Sequence, residues 1–136
     1  AGTVVPGCLV RTCLLVDDNK DVLLYLNRTL SDTRIKTLTA RSGVEAIELV
    51  KNTPGIDVVL LDMQMPVMGG IEATKNIRQQ ERFRDLPIIA LTAGVTQEER
   101  DKCQESGMND FVAKPVDFEQ LVAVLCRWIL SGRDKR

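Results

Sequence analysis

At 136 residues, with 44% hydrophobic and 27% charged residues and a formal net charge of −1, the chain is sized for one soluble globular domain that needs no metal or disulfide staple. Lys and Arg are interleaved with Asp and Glu, which argues against nucleic-acid binding through bulk charge. The lack of any histidine removes most zinc sites, His-based acid–base catalysis and an autophosphorylating histidine, and no apolar run approaches membrane-spanning length.

The opening Ala1 to Val10 has neither the basic start nor the apolar core of a signal peptide, and its Val4-Val5-Pro6-Gly7 reads as a linker. With no initial Met, the chain reads as a piece cut from something larger, of cytoplasmic location. The expected division is a linker over 1–10, one domain over 11–130 and a tail over 131–136. Cys8, Cys13, Cys103 and Cys126 form no C-x-x-C pair or zinc spacing, and read as thiols in a reducing compartment.

In chain order, Arg11 to Val16 is a short apolar run ending abruptly at Asp17-Asp18-Asn19, a buried strand and its turn. Asn19 can cap a first helix whose stripe is Val22, Leu23, Leu26 and Leu30. Arg34 to Ala40 alternates with period two, which predicts a half-exposed edge strand. Ser42-Gly43-Val44-Glu45 is a capping box for a second helix that Pro54-Gly55 ends. Ile56 to Leu61 is a strand buried on both faces, and it delivers Asp62 into the Pro/Gly-rich turn Met63 to Gly70.

A third helix follows from Ile71 towards Glu81, then a charged loop from Arg82 to Asp85. Leu86 to Leu91 is another buried strand, ending in the small residues Thr92-Ala93-Gly94. Thr96-Gln97-Glu98-Glu99 is a second capping box, and Glu98 and Lys102 are spaced for an i,i+4 ion pair. The fourth helix that it opens has almost no apolar face, so it should be the least anchored. Asp110 to Ala113 is a last strand, followed by Lys114-Pro115; Asp117 then caps a final helix with the stripe Phe118, Leu121, Val122, Leu125 and Ile129. Five strands alternating with five helices predict an α/β domain with a parallel sheet and helices on both faces.

The candidate site gathers at the strand ends, where open α/β sheets bind ligands. Asp17 and Asp18 follow the first strand, Asp62 the third, Thr92 the fourth and Lys114 the fifth, all expected in one crevice. Three crowded carboxylates repel unless protonated or bridged by a cation, and a hard divalent ion suits oxygen donors. Magnesium fits best, with manganese as the alternative. Asp62 could then attack phosphorus as a nucleophile, with the cation and Lys114 neutralising charge and Thr92 offering its hydroxyl. The Met63, Met65 and Met68 group reads as loop packing rather than a soft-metal site.

Over residues 11 to 130 the sequence resembles a receiver domain of two-component and phosphorelay signalling. The resemblance is carried by Val16-Asp17-Asp18-Asn19, Leu61 to Gly70, Leu91-Thr92-Ala93 and Gly107 to Pro115, in this order and spacing. It implies a flavodoxin-like (βα)5 doubly wound sheet of order 2-1-3-4-5, with Asp62 as phosphoacceptor. It also implies a metal site of Asp17, Asp18, Asp62 and the backbone carbonyl of Gln64, and contact of Lys114 with the phosphoryl group. Thr92 and Phe111 would act as a switch that alters the face of the fourth helix, fifth strand and fifth helix, a surface for homodimerisation. The Lys114-Pro115 bond would be cis. The ending Met108 to Pro115 is similar in style to receivers of hybrid histidine kinases, so the partner would be a histidine kinase or a histidine phosphotransfer protein. The domain would then form the cytoplasmic part of a membrane-bound kinase, or else a stand-alone regulator.

On this reading the chain is no metabolic enzyme: its chemistry is self-catalysed phosphotransfer to Asp62 and slow autodephosphorylation. A phosphohydrolase similar to the haloacid dehalogenase group would want an acid where Gln64 stands. A flavin carrier would want a Ser/Thr/Gly-rich phosphate loop where Asp17-Asp18 stand. A receiver that has lost its site is a third rival, but each expected residue is present.

Overall fold

Three strands form the middle of the sheet because their sequences are apolar on both faces. The structure, a computed structural model, describes residues 11–94 and 96–134, with side chains as far as residue 129. The expected linker over 1–10, Cys8 within it, and the last two residues lie outside this range. The elements are β1 (Arg11–Val16), α1 (Lys20–Leu30), β2 (Ile35–Ala40), α2 (Gly43–Asn52), β3 (Val58–Asp62), α3 (Gly70–Arg78), β4 (Ile88–Thr92), α4 (Gln97–Ser106), β5 (Asp110–Ala113) and α5 (Phe118–Asp134). All pairings are parallel and the order is β2-β1-β3-β4-β5, as the flavodoxin-like expectation requires.

Strand alternation divides the core into two halves. Cys13, Leu15, Val58, Leu60, Ile89, Leu91 and Val112 meet Leu26 and Leu30 of α1 and Leu121 and Leu125 of α5. Leu14, Val16, Val59, Leu61, Ile88 and Ala90 face the other way, onto Ala46 and Val50 of α2, Ala73 and Ile77 of α3 and Cys103 of α4. The β3 and β4 side chains are buried throughout, whereas β2 is partly exposed along its middle, as an edge strand should be. In α4 only Cys103 and Ser106 are buried, so this helix is the weakly anchored one.

Helix starts follow the capping residues. Asn19 Oδ1 accepts from Asp21 N at 2.9 Å, Ser42 Oγ from Glu45 N at 3.1 Å, Thr96 Oγ1 from Glu99 N at 3.1 Å and Asp117 Oδ2 from Gln120 N at 3.0 Å. In both expected boxes, however, the glutamate is drawn elsewhere: Glu45 accepts from Arg41 N at 3.4 Å, and Glu99 turns to Thr92. The Glu98–Lys102 pair forms, at 3.4 Å.

Several boundaries differ from the sequence reading: β3 and β4 each begin two residues later than expected and end one later, and α3 stops at Arg78. The loop expected from Arg82 to Asp85 starts inside a 3-10 turn over Glu81–Phe83. The last helix runs to Asp134 rather than stopping at 130. Ser131-Gly132 weakens a helix but, unlike proline, removes none of its hydrogen bonds.

Arg78, at the end of α3, ties this side of the sheet together. Its guanidinium donates to the Gly107 carbonyl at 2.8 Å, the Phe83 carbonyl at 2.6 Å and Asn109 Oδ1 at 2.9 Å. Gly107 ends α4 with φ at +105°, which favours glycine, and a Cβ there would lie 3.0 Å from Arg78 Cγ, so a side chain would also press on the arginine stem. Replacing Arg78 by Met keeps much of the stem packing but strands these acceptors; the expected loss, read by urea unfolding, is about 2–3 kcal/mol.

Candidate functional site

The sheet ladder continues one residue past several strand ends, and this extension positions the polar side chains. Asp17 N donates to Ala40 O at 3.1 Å, Met63 N to Leu91 O at 3.0 Å and Lys114 N to Thr92 O at 2.8 Å. By alternation, Asp17, Asp62 and Lys114 continue the set Leu15, Leu60 and Val112, while Thr92 and Phe111 continue the opposite set. Three candidate residues therefore converge in one cleft and two turn towards α4.

The cleft holds about 170 Å³ and is lined by Asp17, Asp18, Asn19, Asp62, Met63, Gln64, Leu91, Ala93 and Lys114. Such a volume suits an ion, its waters and a small anion rather than a metabolite. Asp17 and Asp62 are buried and Asp18 is exposed. Carboxylate oxygens of the three all lie within 4.8 Å of one another. Lys114 Nζ bridges two of them, at 2.8 Å from Asp17 Oδ2 and 3.2 Å from Asp62 Oδ1. Asn19 N donates to Asp17 Oδ1 at 2.9 Å, and Gln64 N to Asp62 Oδ1 at 3.3 Å.

Burial pushes the Asp62 carboxyl above its ordinary range; the Gln64 amide opposes this, the Asp17 charge adds to it, and Lys114 opposes it again. Burial alone would lower the Lys114 ammonium, but its hydrogen bond to Asp17 and the charges of Asp62 and Asp17 outweigh burial and hold it above its ordinary value. One ammonium cannot balance three carboxylates. An all-oxygen donor set with surplus negative charge fits a hard divalent cation.

Gly69 and Gly70 bring the turn after β3 close to this site; a Cβ on Gly69 would lie 3.0 Å from the Met63 carbonyl oxygen. A Cβ on Gly70 would lie 2.6 Å from the Asp62 carbonyl oxygen, so only glycine lets α3 begin against the strand end. The Lys114–Pro115 peptide is cis. Met65 is buried, and Met63 and Met68 pack against the core half that includes Cys103.

Thr92 corrects the expectation of a single crevice. Its hydroxyl donates to Gly94 O at 2.6 Å and lies 3.3 Å from Glu99 Oε2, and Leu91 and Ala93 line the cleft in its place. Phe111, half-buried, lies with Thr92 beside Gly94, Glu99, Arg100 and Cys103. Sequence reasoning missed Glu99 and Arg100 here. Glu99 was read as a cap, and nothing in local spacing brings Arg100 to a strand ten residues further on.

The sheet order and the acid cluster place the chain among CheY-like α/β domains. The family model for the response regulator receiver domain matches residues 13–126, and the chain belongs to that family. It is 39% identical over 118 residues to the sensor histidine kinase GacS of Pseudomonas protegens; the match covers 85% of this chain and 13% of that kinase. Among solved structures it is similar to the receiver domain of sensor histidine kinase PA1611 from Pseudomonas aeruginosa, which has a magnesium ion coordinated in its active site cleft. That match has a TM-score of 0.81 and 36% identity, over 89% of this chain and 98% of the other. It is also similar, at TM-score 0.80 and 32% identity over 87% of this chain and 88% of the other, to a chain in the co-crystal of the Saccharomyces cerevisiae phosphotransfer protein Ypd1 with the receiver domain of Ssk1.

The acid cluster generates a test without any phosphodonor. Magnesium at ten times its dissociation constant should stabilise the metal-free domain by about 1.4 kcal/mol. Asp62→Asn should lose most of that gain in thermal unfolding. Because folding raises the Asp62 pKa, the folded state keeps the proton where the unfolded chain has lost it. Its stabilising contribution is full below the unfolded value and is lost as pH rises through the folded one. Metal-free wild type should thus lose stability relative to Asp62→Asn as pH rises from about 4 towards neutrality.

Proposed function

We propose that this receiver domain accepts a phosphoryl group on Asp62 from a phosphohistidine of a partner, in a magnesium-dependent reaction, and changes conformation in response. The observation that supports this most is the buried Asp62 carboxylate, bridged by Lys114 to Asp17 in a cleft open enough only for small groups. An Asp62 oxygen forms the bond to phosphorus as the phosphorus–nitrogen bond of the donor breaks, and the imidazole leaves with that electron pair and takes a proton. Lys114 balances charge on the phosphoryl oxygens. Asp17, Asp18, Asp62 and the Gln64 carbonyl would hold magnesium, or manganese, which supplies further charge neutralisation when bound. Thr92 would then swing from Gly94 towards the new phosphoryl group, and Phe111 would follow.

The donor is a protein. Among the described residues, the large apolar side chains left most exposed are Leu24, Tyr25, Val44 and Val67. Leu24 and Tyr25 lie on α1, directly after the acidic loop, and Val67 lies in the turn after Asp62. Val67 is fully exposed at φ +70°, where Met68 N donates across it to Pro66 O at 2.8 Å. A strained, exposed, β-branched residue beside the cleft suits recognition better than folding. A histidine kinase or a histidine phosphotransfer protein fits such a rim, and the kinase relatives point to a hybrid-kinase context. No helix among the described residues is long and apolar enough to cross a membrane; by likeness to the kinase relatives the domain would lie on the cytoplasmic side of such a kinase. A hollow of about 460 Å³ between α4 and β5 marks the face that the switch would remodel, and self-association there on phosphorylation belongs to the same proposal.

Incubation with magnesium and acetyl phosphate, followed by intact mass, tests the reading. Wild type should gain one phosphoryl group and Asp62→Asn none, while Lys114→Met should slow uptake about 100-fold. No adduct on wild type, or an undiminished one on Asp62→Asn, would overturn it. Steady turnover of phosphomonoesters would point to a hydrolase instead.

A further inference from the structure

The two residues assigned to the switch, Thr92 and Phe111, are both held by the first turns of α4, through neighbouring side chains. Glu99 Oε2 lies 3.3 Å from the Thr92 hydroxyl, and the Arg100 guanidinium carbon lies 4.6 Å from the centre of the Phe111 ring. Thr92, Gly94, Glu99, Arg100, Cys103 and Phe111 line one narrow gap on the α4 side of the sheet. The Thr92 hydroxyl is further occupied by Gly94, donating to its carbonyl at 2.6 Å and accepting from its amide at 3.3 Å. To reach the cleft it must give up these partners. To move, the Phe111 ring must leave a cation stacked on its face.

We propose that Glu99 and Arg100 form a paired clamp that holds Thr92 and Phe111 in the resting arrangement, so that releasing either residue displaces the same turn of α4. This rests on the reading of Asp62 as phosphoacceptor. Because the two side chains are adjacent on one helix, a shift that lifts Glu99 from Thr92 also lifts Arg100 from Phe111. The threonine and the aromatic residue are therefore coupled through α4 as well as through the sheet. The helix has few other attachments: Cys103 and Ser106 are its buried side chains, and Cys103 Sγ lies 3.6 Å from Met63 Sδ beside Asp62. Removing the clamp lowers the cost of switching without touching any group that meets the phosphoryl site. Glu99 and Arg100 are positioning residues in this scheme.

The experiment is a titration of the full chain, in magnesium, with beryllofluoride as a phosphoryl mimic, followed by NMR of the Thr92 methyl and Phe111 ring signals. Wild type, Glu99→Ala/Arg100→Ala and Arg100→Lys are compared. Both truncated side chains lie outside the core, so the double variant keeps its packing. It should load at about two- to fivefold lower beryllofluoride than wild type, the scale of one exposed cation–π contact, with the Glu99 contact adding little because the Thr92 proton is shared with the nearer Gly94 carbonyl. Its unloaded Thr92 and Phe111 signals should already be shifted towards their loaded positions. Arg100→Lys, which keeps a cation over the ring, should restore the Phe111 signal to its resting position. A wild type that loads normally beside a double variant with unchanged midpoint and signals would overturn the clamp alone. A wild type with no response to beryllofluoride would overturn the phosphoacceptor reading, and the clamp with it.

Discussion

The Lys114 ammonium, set between the buried carboxylates of Asp17 and Asp62, is the interaction on which the site depends. Without it, two buried acids and an exposed third would face one another across a few ångströms with no opposing charge from the protein in the cleft. With it, the cluster is compensated in part, and the remaining negative charge is what draws a cation. The same ammonium fixes tertiary structure, because it joins the carboxyl ends of β1, β3 and β5 across the middle of the sheet. Lys114 therefore ties the fold together at the same point where it sets the charge of the acid cluster.

The sheet also sorts the machinery by side. Asp17, Asp62 and Lys114 share one parity, and the cleft forms where they meet. Thr92 and Phe111 share the other, and they lie under α4. The acid–lysine cluster and the Thr92–Phe111 pair thus sit on opposite faces of the sheet at its carboxyl edge. A charge arriving at Asp62 has one route to α4 through Met63, which lines the cleft and whose Sδ lies 3.6 Å from Cys103 Sγ, and under the proposed function a second through Thr92 at the end of β4. The thin burial of α4 sets how much resistance that crossing meets.

Much of the architecture was legible in the sequence because it is written locally. Apolar runs marked β1, β3 and β4; Asn19, Ser42, Thr96 and Asp117 marked helix starts; and the acids stood out because each ends an apolar run. The family motifs carried the order of the strands and the cis peptide before Pro115. Harder to read were groups whose partners lie far along the chain, such as Arg78 on the Gly107 carbonyl and Trp128, whose indole donates to Asp110 Oδ2 at 2.9 Å. Nothing near either residue in sequence announces its acceptor.

By itself, then, the sequence determined which residues end the strands, since periodicity and turn residues act over a few positions, and with them the acidic donor set. Only the tertiary structure decided which of those residues share the cleft. That depends on side-chain parity at each strand end, on parallel register, and on how α4 lies over β4 and β5, and these are settled by contacts between distant segments. For that reason Thr92 left the expected crevice for Gly94 and Glu99, and Glu99, read as half of a capping box, came to lie 3.3 Å from the Thr92 hydroxyl.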